Sequence, residues 1–285
     1  MDEQAKTRPD TIWVRKASGE EEVFEIAKIE RSLKNAGAGG DLLREVMDDL
    51  AQWVYNGVTT KKIYSRAFSL LRKKKSISAL RYKLKQSMLE LGPTGYPFEQ
   101  FIGFLFQKQG YEVEVGQVLE GCCVTHEMDV IATKEKQQQL VECKYGVSQG
   151  KQISVQVPLY VRSRVDDIVK KRKELPQYND FSFTGWVVTN TRFSGDSISF
   201  SECSGLELLG WDFPAGRGLK ELIEKENLYP ITILANLTKK EKQQLIEQGI
   251  VICEQLHKSP ELIANMQLAN KKHRLLLQEL KTICS

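Results

Sequence analysis

"HEMDVIATKEKQQQLVECKY", residues 126–145, decides how the chain is read. Val141, Cys143 and Tyr145 alternate with Glu142 and Lys144, a period of two, which predicts a strand with both charged groups on one face. Asp129 stands in the apolar run before it. Paired strands lie about 5 Å apart, so Asp129 and Glu142 can offer two carboxylates to one hard cation. The carbonyl of Cys143 can point at the same ion. Lys144 shares the face of Glu142, where its ammonium can orient or help deprotonate a water and offset phosphate charge. Phosphodiester hydrolysis needs that set: hard oxygen ligands, a divalent cation and an aimed water. The plain alternative is a surface ion pair on a strand. Against it stands the desolvation cost of three charged groups among "VIA", "LV" and "C", which a cation would offset.

The flanking pattern extends this unit in both directions. "FEQFIGFLFQKQG" (98–110) is an amphipathic helix ended by Gly110, and "YEVEVGQVLEG" (111–121) is an alternating strand. A helix starting near Ser154 or Pro158 follows the Glu-x-Lys strand. "FTGWVVTNTRFS" (183–194) and "GLELLGWDFP" (205–214) supply two later strands. The order helix, three strands, helix, strand, helix, strand predicts a mixed α/β domain.

With these elements around it, "MDVIA" followed by "VECKY" resembles the Asp…Glu-x-Lys signature of restriction-endonuclease-like (PD-(D/E)XK) nucleases. The helix with Glu99 is similar to that superfamily's first core helix, and the later strands to those closing its Mrr-like branch. The resemblance covers residues 95–215. It implies Mg²⁺, with Mn²⁺ able to substitute, held by Asp129, Glu142 and the Cys143 carbonyl. It implies Lys144 serving water and phosphate, Glu99 beside the ligands, and DNA as the partner. Met128 stands where the superfamily often has proline. His126 matches a histidine variant of some branches, or is a turn histidine. Gln156 contacts DNA or the water, or is only a polar helix start. Glu127 is expected to face solvent.

Residues 11–91 read differently. "TIWVRKASGEEEVFE" has two short β-like pieces around a Ser18-Gly19 turn, then Ile26, Ile29, Leu33 and Leu42, Val46, Leu50, Trp53 recur at helical spacing. Asp41 is expected to cap the second helix and Thr59 or Thr60 the third. A last helix runs from Ile77 to Leu91, and "LGPTGYP" (91–97) marks a domain boundary. Val14, Arg15, Lys16, Gly19, Phe24, Lys28 and Ile29, with Arg81 and Tyr82 in "ALRYKLKQSM", resemble the ATP-cone, a nucleotide-binding regulatory module. Its usual aspartate before the glycine is missing, with Ala17 and Ser18 in its place. The resemblance implies ATP or dATP as a regulatory ligand, sensed and not hydrolysed. Arg15, Lys16 and Lys28 are suited to phosphate oxygens, and no G-x-x-x-x-G-K-[ST] loop exists. A helical DNA-binding or dimerisation domain is the alternative. Residues 61–85 hold ten basic residues and no acidic one. Such a run is a solvated helix face or an attractor of phosphates.

Residues 219–285 read as helical, and "LTKKEKQQLIEQGIVICEQL" resembles a helix-hairpin-helix element turning at Gly249, or a simple packed hairpin. Six cysteines without C-x-x-C spacing and three histidines argue for reduced thiols rather than disulfides or zinc ligands. No apolar run approaches the roughly 18 residues of a membrane helix. The N-terminus has no signal-peptide pattern, so a cytoplasmic protein is expected. Three parts follow: 11–91, 95–215 and 219–285. The expected activity is metal-dependent DNA cleavage governed by a nucleotide. The rival readings are an idle DNA-binding protein and a nucleotide-sensing regulator acting through protein partners. Cutting both strands calls for two nuclease domains, which is compatible with a homodimer.

Overall fold

The computed structural model describes residues 11–16, 19–73, 77–148 and 150–284, without the side chains of Asn35, Arg72, Ile77 and Arg81. Ala17 and Ser18 therefore lie outside the described residues, as does the side chain of Arg81. The chain is a mixed α/β protein in two compact units, Met1–Lys83 and Leu84–Ser285.

The first unit opens with a hairpin of β1 (Trp13–Arg15) and β2 (Glu21–Val23), followed by α1 (Ile26–Asn35), α2 (Gly40–Trp53), β3 (Val58–Thr59) and α3 (Thr60–Lys73). The β3 strand adds to β1 in parallel, giving the order β2-β1-β3. Val14 faces inward between exposed Trp13 and Arg15, as strand alternation requires. It joins a core of Leu33, Val46, Leu50, Ile63, Ala67 and Leu71, the inward faces of the helices. Gly39, not Asp41, is the N-cap of α2. Asp41 sits in the first turn, where its charge favours the helix dipole without capping an N–H. The Thr59 hydroxyl does accept from Lys62 N at the start of α3. Part of the basic run turns inward: Arg66 binds Asp49 at 2.5 and 2.9 Å and lies over Trp53.

α4 (Ile77–Leu89) begins in the first unit and ends in the second. The division thus falls at Lys83, not at 91–97. The reason is local: Met88 and Leu91 are fully buried, and the Ser87 carbonyl accepts from Thr232 Oγ1 at 2.7 Å.

In the second unit α5 (Tyr96–Lys108) leads into β4 (Glu112–Glu120), β5 (Thr125–Lys134) and β6 (Gln137–Lys144), an antiparallel meander. A short β7 (Gln152–Ile153) precedes α6 (Gln156–Arg172). Then come β8 (Ser182–Thr189), β9 (Arg192–Phe193), α7 (Gly195–Ser204) and β10 (Glu207–Leu209). The sheet order is β10-β8-β6-β5-β4, parallel from β6 through β8 to β10 because a helix crosses over each time. α5 buries Phe98, Phe101, Ile102, Leu105 and Phe106. Val161, Val165 and Ile168 of α6 pack with Leu140, Val187 and Leu208 of the sheet.

The helices α8 (Leu219–Lys225), α9 (Lys239–Glu247), α10 (Cys253–His257), α11 (Pro260–Asn265) and α12 (Asn270–Cys284) complete this unit rather than forming a separate one. Lys108 of α5 pairs with Glu254 of α10 at 2.6 Å. A capping box of Thr238 and Glu241 starts α9. The hairpin expected at Gly249 is interrupted. The β-branched Ile252 is extended and bridges Pro230, the second helix starts only at Cys253, and α10 has only five residues. Among the described residues no helix is long and apolar enough to cross a membrane.

Candidate functional site

The β5–β6 ladder runs as far as Val130↔Val141. The next pair in that register is Asp129 opposite Glu142, but the ladder stops before it. The Asp129 carboxylate takes the place of a backbone acceptor, with Oδ2 receiving Cys143 N at 2.6 Å. In a strand the N–H and C=O of one residue point to the same side, so the Cys143 carbonyl faces this gap too. The Lys144 carbonyl points the other way, to Thr189 Oγ1 at 2.7 Å.

β5 also changes face here. Met128 and Ile131 lie in one apolar cluster although three residues apart, which a regularly alternating strand does not allow. The pairing of β4 with β5 skips Gly116 opposite Asp129, and Gly116 has φ 65°. That left-handed conformation is open to glycine, and a break of this kind re-aims a side chain next to a site. Asp129 is thereby turned into the mouth between β5 and β6.

Glu142 is buried, with a side chain 4% exposed, and both of its oxygens are occupied. Oε1 receives Lys144 Nζ at 2.6 Å and Tyr160 OH at 3.0 Å, and Oε2 receives Arg164 Nη1 at 3.0 Å. Tyr160 and Arg164 are one helical turn apart on α6, which puts both over the same point of the sheet. Both Lys144 and Arg164 lie over the Tyr160 ring, at 5.6 and 5.0 Å from its centre. Burial would lower the Lys144 pKa. Its hydrogen bonds to Glu142 and Tyr160 outweigh that and hold it above the ordinary lysine range.

The carboxylates repel one another. Burial first, and the Glu142 charge second, push Asp129 up to about 6. Glu99, half-buried in the first turn of α5, is pushed up to about 7 by burial and then by Asp129, Glu127 and Glu142. Four acidic groups thus feel one another against Lys144, a local excess of negative charge of the kind a divalent cation relieves. Among the described residues these carboxylates do not bring three donor atoms within 4.8 Å of one another. A cation here relies on Asp129, Glu142 and the Cys143 carbonyl, with Glu99 alongside.

The other expected residues are placed as follows. His126 does not join the carboxylates: its Nε2 lies 2.8 Å from Asp167 Oδ2 on α6. Before the face change, His126 and Met128 point toward α6. Gln156 is exposed at the first residue of α6, one turn before Tyr160, and Glu127 is exposed. Tyr160 and Arg164 were not singled out from sequence. Their signal is the i, i+4 spacing in "YVRSR", which acquires meaning only once α6 is known to cross Glu142.

In the first unit, Lys16 and Lys28 converge on Glu22 at 3.2 and 3.7 Å, Lys28 also pairs with Glu25 at 2.9 Å, and Arg15 pairs with Glu21 at 3.6 Å. Val14, Phe24, Lys28 and Ile29 line a cavity of about 60 Å³. Ligand pockets run from roughly 300 Å³ upward. Tyr82 is buried and stacks on Tyr64 at 4.5 Å. Burial pushes its hydroxyl up to about 12.

Residues 229–284 match the family described as AF1548-like, C-terminal. An uncharacterized protein of Archaeoglobus fulgidus is 30% identical over 183 residues, 63% of this chain and 97% of that protein. A crystal structure of the protein of unknown function AF1548 superposes with a TM-score of 0.54 at 28% identity, covering 67% of this chain and 98% of the other.

Proposed function

This chain belongs to the AF1548-like family, and on that footing we propose that its second unit is a metal-dependent endonuclease acting on DNA. The observation that carries the reading is the break in the β5–β6 ladder. There Asp129 takes a backbone bond at Cys143 directly across from Glu142-x-Lys144. The donor set fits a hard cation: carboxylate and carbonyl oxygens, with two carboxyl groups held above their ordinary pKa by burial and then by the neighbouring carboxylates. Asp129, Glu142 and the Cys143 carbonyl would hold Mg²⁺ or Mn²⁺. Once bound, the ion would neutralise phosphate charge and favour hydroxide over water.

The chain's own residues supply the rest. Lys144 stays an ammonium, so it acts as a positive charge beside the phosphate and an orienting donor to water, not as the base. Arg164 and Tyr160 hold the Glu142 carboxylate in one rotamer and offset its burial. Glu99, titrating near neutrality, can accept a proton from the attacking water or pass it on. The order α5-β4-β5-β6-α6-β8 also supports the reading, being the order the nuclease resemblance implies.

The test is supercoiled plasmid incubated with the full chain and Mg²⁺ or Mn²⁺. Wild type nicks or linearises it, and Lys144→Ala lowers the rate by at least roughly 100-fold while still shifting DNA in a gel. Equal cleavage by both proteins, or none by either across linear, branched and methylated substrates, removes the assignment. DNA retention without cleavage by wild type would favour the idle binding protein.

A second reading concerns the first unit. Lys16, just after β1, and Lys28 of α1 meet at one carboxylate, which sets two cations within reach of one polyphosphate. We propose ATP or dATP as the ligand that displaces Glu22. Both pairs are exposed, so little energy is lost in breaking them. ATP then raises the melting temperature of the full chain, and Lys16→Ala abolishes the rise. An unchanged melting curve at millimolar ATP removes nucleotide sensing without touching the nuclease reading.

A further inference from the structure

The turn between β4 and β5 is wrapped around one side chain of α6. Asp167 receives Cys123 N at 2.9 Å on Oδ1, Val124 N at 3.3 Å on Oδ2 and His126 Nε2 at 2.8 Å on Oδ2, and its own carbonyl receives Cys122 N at 3.1 Å. The approach is so close that a Cβ on Gly121 would collide with Asp167 Oδ2 and stand 2.6 Å from the Val124 carbonyl. This packing brings both cysteine sulfurs and an Asp167 oxygen within 4.8 Å of one another. The two thiols are free, and both residues are exposed to solvent.

We propose that Cys122, Cys123, Asp167 and His126 form a site for a zinc-class divalent cation that ties the β4–β5 turn to α6. Two sulfurs, one imidazole nitrogen and one carboxylate oxygen are the donors zinc takes in four-coordinate sites. With Zn–S bonds of 2.3 Å the sulfurs of a tetrahedral site stand about 3.8 Å apart, inside the spread seen here. His126 Nε2 touches the same Asp167 oxygen but is not part of the 4.8 Å cluster, so it completes the set by a movement of its ring toward the sulfurs. On binding, each thiol releases its proton to solvent, and the imidazole binds in its neutral form. His126 and Asp167 bond to each other and not to Asp129 or Glu142, and the site uses soft donors where the other uses oxygen. It stands independently of the nuclease reading.

The test uses the full chain, stripped of metal under reducing conditions and titrated with Co²⁺ and then Zn²⁺. The expected result is one equivalent of Co²⁺ giving thiolate charge-transfer and tetrahedral ligand-field bands, displaced by Zn²⁺, with a rise in melting temperature. Cys122→Ser and Cys123→Ser each weaken binding at least tenfold, and His126→Ala shifts the ligand-field bands. Asp129→Asn leaves all of this unchanged, which separates the site from the hard-cation site. Wild-type spectra without a thiolate band, or Zn²⁺ affinity equal to that of the Cys122→Ser/Cys123→Ser double variant, overturn the proposal. So does a vicinal disulfide that persists under reductant.

Discussion

Asp129→Asn abolishes DNA cleavage, by at least roughly 100-fold, and at the same time makes the metal-free protein more stable near neutral pH. The two effects have one origin. Asp129 is moved from an ordinary value of 3.8 to about 6 by burial and by Glu142, and Glu99 from 4.5 to about 7. A carboxyl group whose pKa is raised on folding favours the fold while protonated. That contribution is complete below the unfolded pKa, near 4, and is lost as pH climbs through the folded value. Metal-free wild type therefore loses melting temperature between about pH 4 and 8, as Asp129 and then Glu99 ionise in the folded protein. Asparagine cannot ionise, yet its side-chain carbonyl still accepts the Cys143 N–H. The Asp129 share of the decline disappears, about 2–3 kcal/mol for a shift of this size. Mg²⁺ recovers the loss in wild type but not in the variant. Thermal melts at several pH values, with and without Mg²⁺, give the answer. A variant less stable than wild type at pH 8 would show that Asp129 is a structural hydrogen bond and no more.

Phe101→Ala has the largest effect on stability. Phe101 is fully buried on α5, the helix that carries Glu99 and covers β4 and β5. Its neighbours are fixed from several sides. Phe98 lies 5.6 Å from the Tyr145 ring, Phe106 lies 5.9 Å from Trp186, and a Cβ on Gly103 would come within 3.0 Å of Val115. A helix held this closely cannot sink to fill the hole, so the cavity cost adds to the transfer cost, together about 3–5 kcal/mol. Urea unfolding followed by fluorescence should show the second unit's transition moving to lower denaturant with that change, and Phe101→Leu losing less than half of it. A loss under about 1 kcal/mol would mean that α5 is not anchored as described.

Much of the architecture is legible because alternation is physical. Val141, Cys143 and Tyr145 must share a face if Glu142 and Lys144 share the other, and α6 returns to lay β8 parallel beside β6. What stays hidden arises from contacts between distant segments. Period two alone places His126 on the opposite face to Asp129, yet spacing to the aspartate made it look like a partner. Only Asp167, forty-one residues on, shows where it goes. The face change at Asp129 depends on Gly116 in the neighbouring strand. Tyr160 and Arg164 are an ordinary aromatic and an ordinary cation until α6 is laid over Glu142. The adjacent Cys122 and Cys123 lack the usual zinc spacing, because two of the four proposed donors come from β5 and α6. At the C-terminus the turn at Gly249 is legible, but the second helix starts at Cys253 and not near Ile250, because Ile252 first bridges Pro230.

The most direct test is the anomalous signal of Mn²⁺ in crystals of the full chain. The shared-cation account requires one Mn²⁺ within about 2.5 Å of an oxygen from both Asp129 and Glu142. Its contradiction is Mn²⁺ at saturating concentration bound to only one of them or to neither, with Glu142 still closed by Lys144 and Arg164.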